Sequence, residues 1–202
     1  MPHLPNRRSI RLKGYNYRQE GMYLITICCY NRACLFGNVR DGKMRLNEYG
    51  QVAHNEWLKL PDRFNQMEKD VFQIMPNHMH AIVSLSASVG AALAAARNNE
   101  TNPSVHEQRA GASPAPTESF DDTLGDIVGA YKSLVANACL HLFRCKHSRK
   151  GINPSAIPTM GKIWQRNYYE HIIRNTTAYL RKAEYIKNKP ANWERDEFYK
   201  LD

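Results

Sequence analysis

The period of apolar and polar positions changes several times along the 202-residue chain, and each change marks an element. Residues 22–29, MYLITICC, are β-branched and aromatic and read as a strand. NVRDGKMRL follows, with Asp41-Gly42 as a hairpin turn signal at its centre. NEYGQVAHNEWLKLPDRF shifts to a helical period, with Val52, Trp57 and Leu60 as a loose apolar stripe and Pro61 as its stop. DVFQIMP and HMHAIVSL are two further apolar runs, and the Pro-Asn between them reads as a second hairpin. In DDTLGDIVGAYKSLVANACLHLF, Leu124, Ile127, Val128, Tyr131, Leu134, Val135 and Ala138 follow the spacing of an amphipathic helix, which Asp121 or Asp122 can cap. KIWQRNYYEHII is extended in part, and NTTAYLRKAEYIKNKP closes the chain's core as a helix between a capping Asn175 and Pro190. No internal repeat is visible. The pattern predicts one α+β domain over residues 1–202, an antiparallel sheet covered by helices.

Two stretches fall outside that pattern. Residues 86–119 are rich in Ala, Ser, Asn, Pro and Gly with little periodicity, which predicts a flexible insertion. Residues 190–202 follow the last helix as a C-terminal tail. Composition narrows the function classes. A formal charge of +9 and a pI near 9.4 call for an anionic partner, such as nucleic acid, an acidic surface or a phosphorylated substrate. The five cysteines form no CxxC pair, so free thiols in a reducing cytoplasm fit better than a disulfide framework or a thiolate zinc site. No apolar run approaches the roughly 20 residues of a membrane span, and the N-terminus lacks the apolar centre of a signal peptide. A cytoplasmic protein is expected.

The candidate chemistry lies in MPNHMHAIV. Side chains at i and i+2 of a strand share a face, so His78 and His80 present two imidazoles side by side while Met79 faces the other way. That geometry suits two nitrogen ligands on one metal ion; two hydrogen-bonded histidines at a strand edge are the structural alternative. Among eleven tyrosines, Tyr185 stands out near the end of a basic helix, LRKAEYIKNKP. A phenol there either attacks phosphorus or packs on the sheet beside Ile186. Arg7, Arg8, Arg11 and Lys13 precede Tyr15 and Tyr17, and Lys162, Arg166 and Arg174 flank Trp164, Tyr168 and Tyr169. Cations for phosphate interleaved with rings for unstacked bases are what a single-strand binder needs. A solvated basic face gives the same pattern.

The blocks RRSIRLKGYNY, YLITICCYNRACLFG, LNEYGQVAHNEW, FQIMPNHMHAIV, GAYKS, IWQRNYYEHIIRN and YIKNKPANWERDEFY together resemble the REP-associated tyrosine transposases. These are a branch of the HUH single-strand nuclease superfamily, and the blocks stand in that family's order. The resemblance implies a ferredoxin-like α+β fold with the histidines on a central strand and the tyrosine helix beside it. It implies that His78 and His80 bind Mg²⁺ or Mn²⁺, that Tyr185 is the nucleophile, and that Lys132 of GAYKS joins the basic residues above in gripping DNA. One position departs from the family. An amide four residues after the tyrosine often supplies a third metal ligand, and here that residue is Lys189, a poor ligand when charged. Either Asn188 substitutes as the helix end unwinds, or Lys189 holds the phosphate, or the copy is inactive.

The activity so implied is transesterification on single-stranded or hairpin DNA, cut beside a palindromic element, through a 5′-phosphotyrosine bond and without a nucleotide cofactor. No GxxxxGK[ST] loop is present. Cleavage is expected to fall below about pH 6.5, where an unperturbed histidine charges, and binding to weaken with salt. Three rivals remain: a phosphodiesterase with water as nucleophile, a hairpin-binding module that has lost its chemistry, and a replication-initiator nuclease of the same superfamily. Monomer and homodimer are both open.

Overall fold

The computed structural model describes residues 20–68, 70–86, 122–149 and 160–199. Arg7, Arg8, Arg11 and Lys13 lie outside the described residues, as do all of the predicted insertion but Ser86, Asp121 and the last three residues of the chain. Strands β1 (Gly21–Cys28), β5 (Phe72–Ile74), β6 (His78–Leu85) and β7 (Tyr169–Ile173) alternate with helices α1 (Glu48–Leu58) and α2 (Leu124–Arg149) in the order βαββαβ. The sheet runs β5-β6-β1-β7 with every pair antiparallel, and a two-residue β4 (Met67–Glu68) pairs β6 farther along. That order is the ferredoxin-like one. Strands β2 (Gly37–Arg40) and β3 (Lys43–Leu46) form a separate hairpin, and helix α3 (Thr176–Asn188) follows β7.

Local chemistry accounts for these boundaries. Asp41 and Gly42 both take positive φ, 51° and 67°, as the tight turn of a two-residue hairpin requires. The Asn47 side chain accepts from the Gly50 N–H at 2.9 Å to cap α1, and Asn175 does the same for Ala178 at 2.8 Å to cap α3. Helix α2 is capped by Thr123, one residue after the aspartates expected to do so. The Thr123 hydroxyl accepts from the Asp126 N–H at 3.2 Å, and the Asp126 carboxylate accepts from the Thr123 N–H at 2.8 Å. This reciprocal pair is a capping box with aspartate in the usual glutamate place.

Strand alternation divides the interior into two layers. Tyr23, Ile25 and Ile27 of β1 and Met79, Ala81, Val83 and Leu85 of β6 face α1 and α2. There Trp57 and Tyr131 meet edge to face at 5.1 Å, and the buried Tyr131 hydroxyl donates to the Ala53 carbonyl. Of the predicted stripe, Trp57 and Leu60 are buried and Val52 packs partly buried against the core, and α1 buries Gly50 and Ala53 as well. Gly50 is required because an added Cβ would meet the Phe36 carbonyl oxygen at 2.1 Å. On the opposite face Leu24, Ile82 and Ile173 form a smaller core with Ala183 and Ile186 of α3. His78 and His80 continue that second face. No helix among the described residues is long and apolar enough to cross a membrane, and the five cysteines are free thiols.

Candidate metal and nucleophile site

The two histidines begin β6, straight after the turn Met75-Pro76-Asn77. Backbone bonds hold that turn from both sides: the Phe36 N–H donates to the Pro76 carbonyl, and the Cys29 N–H to that of Asn77. Thr26 of β1 stands opposite His80 and Cys28 opposite His78. The imidazoles therefore project from the middle of the sheet and are both essentially buried. Their Nε2 atoms approach to 3.1 Å. His80 Nδ1 lies 2.7 Å from the Thr26 hydroxyl and His78 Nδ1 2.8 Å from Asn77 Oδ1.

Residues after α3 close over this pair. Pro190–Arg195 form a 3₁₀ turn, and Trp193 and Phe198 are buried, with ring centroids 6.0 and 4.6 Å from that of His78. The segment expected as a tail is thus packed over the site through residue 199. The Asp196 side chain is fully enclosed, with Oδ2 4.0 Å from His78 Nε2 and 2.8 Å from Lys189 Nζ.

Tyr185 is 43% exposed, and its ring lies 5.4 Å from that of His80. Packing against the sheet is left to Ala183 and Ile186, so the phenol is open to solvent while bonded to Lys189. Helix α3 does not unwind at its end. Lys189 keeps helical angles, φ −55° and ψ −46°, and it is Lys189 that turns inward. Its ammonium sits 4.2 Å from the Tyr185 ring centroid. Asn188 is exposed in a cleft that Tyr185, Lys189 and Asp196 also line, its carbonyl accepting from the Asn192 amide, and with the helix wound to its end the condition for it to reach the histidines is not met.

Burial and neighbouring cations set the proton balance. Desolvation, with Lys189 and Arg32 nearby, lowers His78 to about 3. Burial, the His78 ring and Lys189 hold His80 well below its ordinary value. Both imidazoles are consequently neutral far below pH 6.5, which moves the expected acid limit of the site down. Burial opposes the charge on Lys189, yet its bonds to Asp196 and Tyr185 raise its pKa on balance.

The remaining basic residues divide. Lys162 and Arg166 are exposed near the histidine end, where the Gln165 N–H donates to Cys28. Arg174 is exposed at the other end of β7. Lys132 is committed elsewhere: its amine donates to the Gln165 and Arg166 carbonyls at 2.6 and 2.9 Å, and burial lowers its pKa. It straps the 165–166 segment instead of presenting a free charge. A cleft of about 480 Å³ beside Tyr185 is lined by Thr26, His80, His171, Arg181, Lys182 and Glu197 among others. Arg181 and Lys182 were legible in principle, since they stand four and three residues before Tyr185 on one helix. Thr26 and Asp196 carry no such local signal, since only the fold brings them to the histidines; Asn77 adjoins His78 in sequence, and what the fold adds is the tie of its amide to Arg32 and Phe198.

The donor set can be tested against the expected ion. Ligands at right angles around an octahedral ion, about 2.1 Å from it, stand about 3.0 Å apart. The observed 3.1 Å between the two Nε2 atoms fits that spacing. Among the described residues no group of three His, Cys, Asp or Glu side chains is placed to hold a metal. The site offers two nitrogens; the Asp196 carboxylate is held by Lys189, and Glu197 lines the cleft beside His80.

Comparison with known proteins agrees with this architecture. A solved REP-associated tyrosine transposase, bound to a REP hairpin, superposes with a TM-score of 0.52 over 91% of this chain and 74% of its own, at 18% identity. The antiparallel sheet with helices packed on it is a REP tyrosine transposase-like fold. No family model matches the chain. An uncharacterized protein of Haemophilus influenzae is 39% identical over 194 residues, covering 96% of this chain and 93% of its own, and the chain belongs to one family with it.

Proposed function

We propose that the protein is a metal-dependent single-stranded DNA endonuclease and strand transferase acting at palindromic hairpin elements. The observation that carries this reading is the exposed Tyr185 ring 5.4 Å from His80, whose Nε2 converges with that of His78 at 3.1 Å. The fold shared with the hairpin-bound transposase supports the substrate class. Mg²⁺ or Mn²⁺ held by His78 and His80 would polarise a scissile phosphate. Tyr185 Oη attacks phosphorus; the bond to O3′ breaks, and that oxygen leaves as a 3′-hydroxyl after taking a proton. The Lys189 ammonium beside the phenol stabilises negative charge on Oη as the proton departs. The 5′-phosphotyrosine conserves the energy of the bond, so attack by a second 3′-hydroxyl reseals the strand with no nucleotide cofactor. Arg181 and Lys182 in the cleft, with Lys162, Arg166 and Arg174, provide charge for the phosphates.

One observation favours a second reading, a hairpin-binding module without chemistry. Lys189 already brings a cation beside the histidines, paired with Asp196. The experiment that separates the two is adduct formation on a labelled single-stranded hairpin with Mn²⁺, resolved on a denaturing gel. The transesterase gives a protein–DNA band that disappears in Tyr185→Phe and in His80→Ala, while Tyr185→Phe keeps wild-type stability and binding. Binding with no band under any divalent metal would establish the module. Cleavage that survives Tyr185→Phe would make water the nucleophile.

A further inference from the structure

Two hydrogen-bond chains behind the histidines have different freedom. The Asn77 amide nitrogen lies 2.7 Å from the Phe198 carbonyl oxygen and 3.3 Å from that of Arg32. Carbonyls only accept, so the amide NH₂ must face them and Oδ1 must face His78 Nδ1, 2.8 Å away. An amide oxygen also only accepts. His78 Nδ1 therefore carries the proton, and its Nε2 presents a lone pair. In a neutral pair that lone pair takes the proton of His80 Nε2 at 3.1 Å, which leaves His80 Nδ1 as an acceptor. Its partner there is the Thr26 hydroxyl at 2.7 Å, a group able to donate or accept.

We infer that Asn77 and Thr26 are the positioning residues of the histidine pair, Asn77 locking His78 in its Nδ1–H form while Thr26 lets His80 exchange one neutral form for the other. In the metal-free protein the two rings hold opposite tautomers. For both Nε2 lone pairs to face one ion, only His80 must change: its proton moves from Nε2 to Nδ1, and the Thr26 hydroxyl turns from donor to acceptor. No charge is created in the buried site. The ring that cannot change is tied to the backbone of two distant segments, Arg32 and Phe198, so its orientation is set by the fold. Partners behind a ligating histidine fix its tautomer and orientation in this way.

This inference rests on the metal reading above for its purpose but not for its first test. Long-range ¹H–¹⁵N correlation spectra of the metal-free wild type at pH 7.5 read each ring directly. The expected result is His78 as Nδ1–H and His80 as Nε2–H; His78 as Nε2–H would overturn the inference without any variant. Titration with Mn²⁺, followed by calorimetry, gives the second readout. Asn77→Ala should release the His78 tautomer and weaken Mn²⁺ by about 10- to 100-fold. Thr26→Val should weaken it similarly, and Thr26→Ser should restore it. Unchanged Mn²⁺ affinity in a folded Thr26→Val protein would overturn the role of Thr26. A wild type with the expected tautomers but no Mn²⁺ uptake would uphold the proton positions and refute the metal reading instead.

Discussion

The two faces of the central sheet were built from the same strands yet solve different problems. On one, Tyr23, Ile25, Ile27, Met79, Ala81 and Val83 are sealed beneath α1 and α2, and the buried hydroxyl of Tyr131 there has a carbonyl to donate to. On the other, a small apolar core of Leu24, Ile82, Ile173, Ala183 and Ile186 gives way to Thr26, His78, His80, Lys189 and Asp196, all buried and all polar. Burying polar groups is tolerable only when each has a partner. The first face is therefore expected to carry stability, and the second to carry chemistry at some cost in stability.

The largest effect that would break this division lies on the apolar face. Trp57→Ala should cost about 3–5 kcal/mol in chemical denaturation, with the His78–His80 tautomers unchanged in whatever fraction remains folded. A loss below about 1 kcal/mol would show that the α1–α2 layer is not the stabilising one.

Next in size is the ion pair on the polar face. Lys189→Ala leaves Asp196 charged and enclosed, which should cost about 3 kcal/mol or more, whereas Lys189→Met combined with Asp196→Asn should recover most of that loss. If the single and double variants are equally unstable, Lys189 matters for its packing against Tyr185 and not for its charge.

The histidines give a smaller, graded effect. The folded form holds His78 at about 3 and lowers His80, whereas the unfolded chain takes up protons near 6.5. The stability that the neutral histidines contribute is complete above pH 6.5 and is lost as pH falls, toward about 3 in the case of His78, because the unfolded state binds more protons. The slope is about 1.4 kcal/mol per pH unit for each histidine. Denaturant midpoints in chelator should thus fall from pH 6.5 to 4.5, and His78→Gln should flatten the fall. A wild-type midpoint that stays level would mean that the rings charge freely in the folded protein.

What was legible in the sequence follows the same division. Local period made β1, the Asp41-Gly42 hairpin and α3 readable to within a few residues, whereas α2 runs to Arg149, six residues past Phe143, where the stretch read as helical ended. The HMH pair was readable as well, because strand alternation alone puts both rings on one face. The misses have a common cause. The cap of α2 went to Thr123 since a hydroxyl with Asp126 three residues on satisfies two donors, where a lone aspartate satisfies one. Asn77 looked like turn chemistry, yet its amide reaches carbonyls 45 and 121 positions away in the chain. Asp196 lay in what read as a tail, and only the packing of Trp193 and Phe198 brings it under the histidines. Distant partners leave no period.

Lys132 and Arg166 offer the finest test, since one is a cation on α2 and the other a cation on the segment it straps, and composition alone ranks them equally. Lys132 donates to two carbonyls, one of them that of Arg166 itself, while the Arg166 side chain is exposed. Neutralising a phosphate contact on a single strand removes about 0.7 from the slope of log affinity against log salt. Arg166→Ala should show that decrement with unchanged stability. Lys132→Met should leave the slope as it was and instead lower stability by about 1–2 kcal/mol, because two carbonyls lose their donor. The reverse pattern would mean that the strap opens when DNA binds and releases Lys132 to a phosphate. The boundary between the scaffold and the chemical face would then run through α2, beneath the strap.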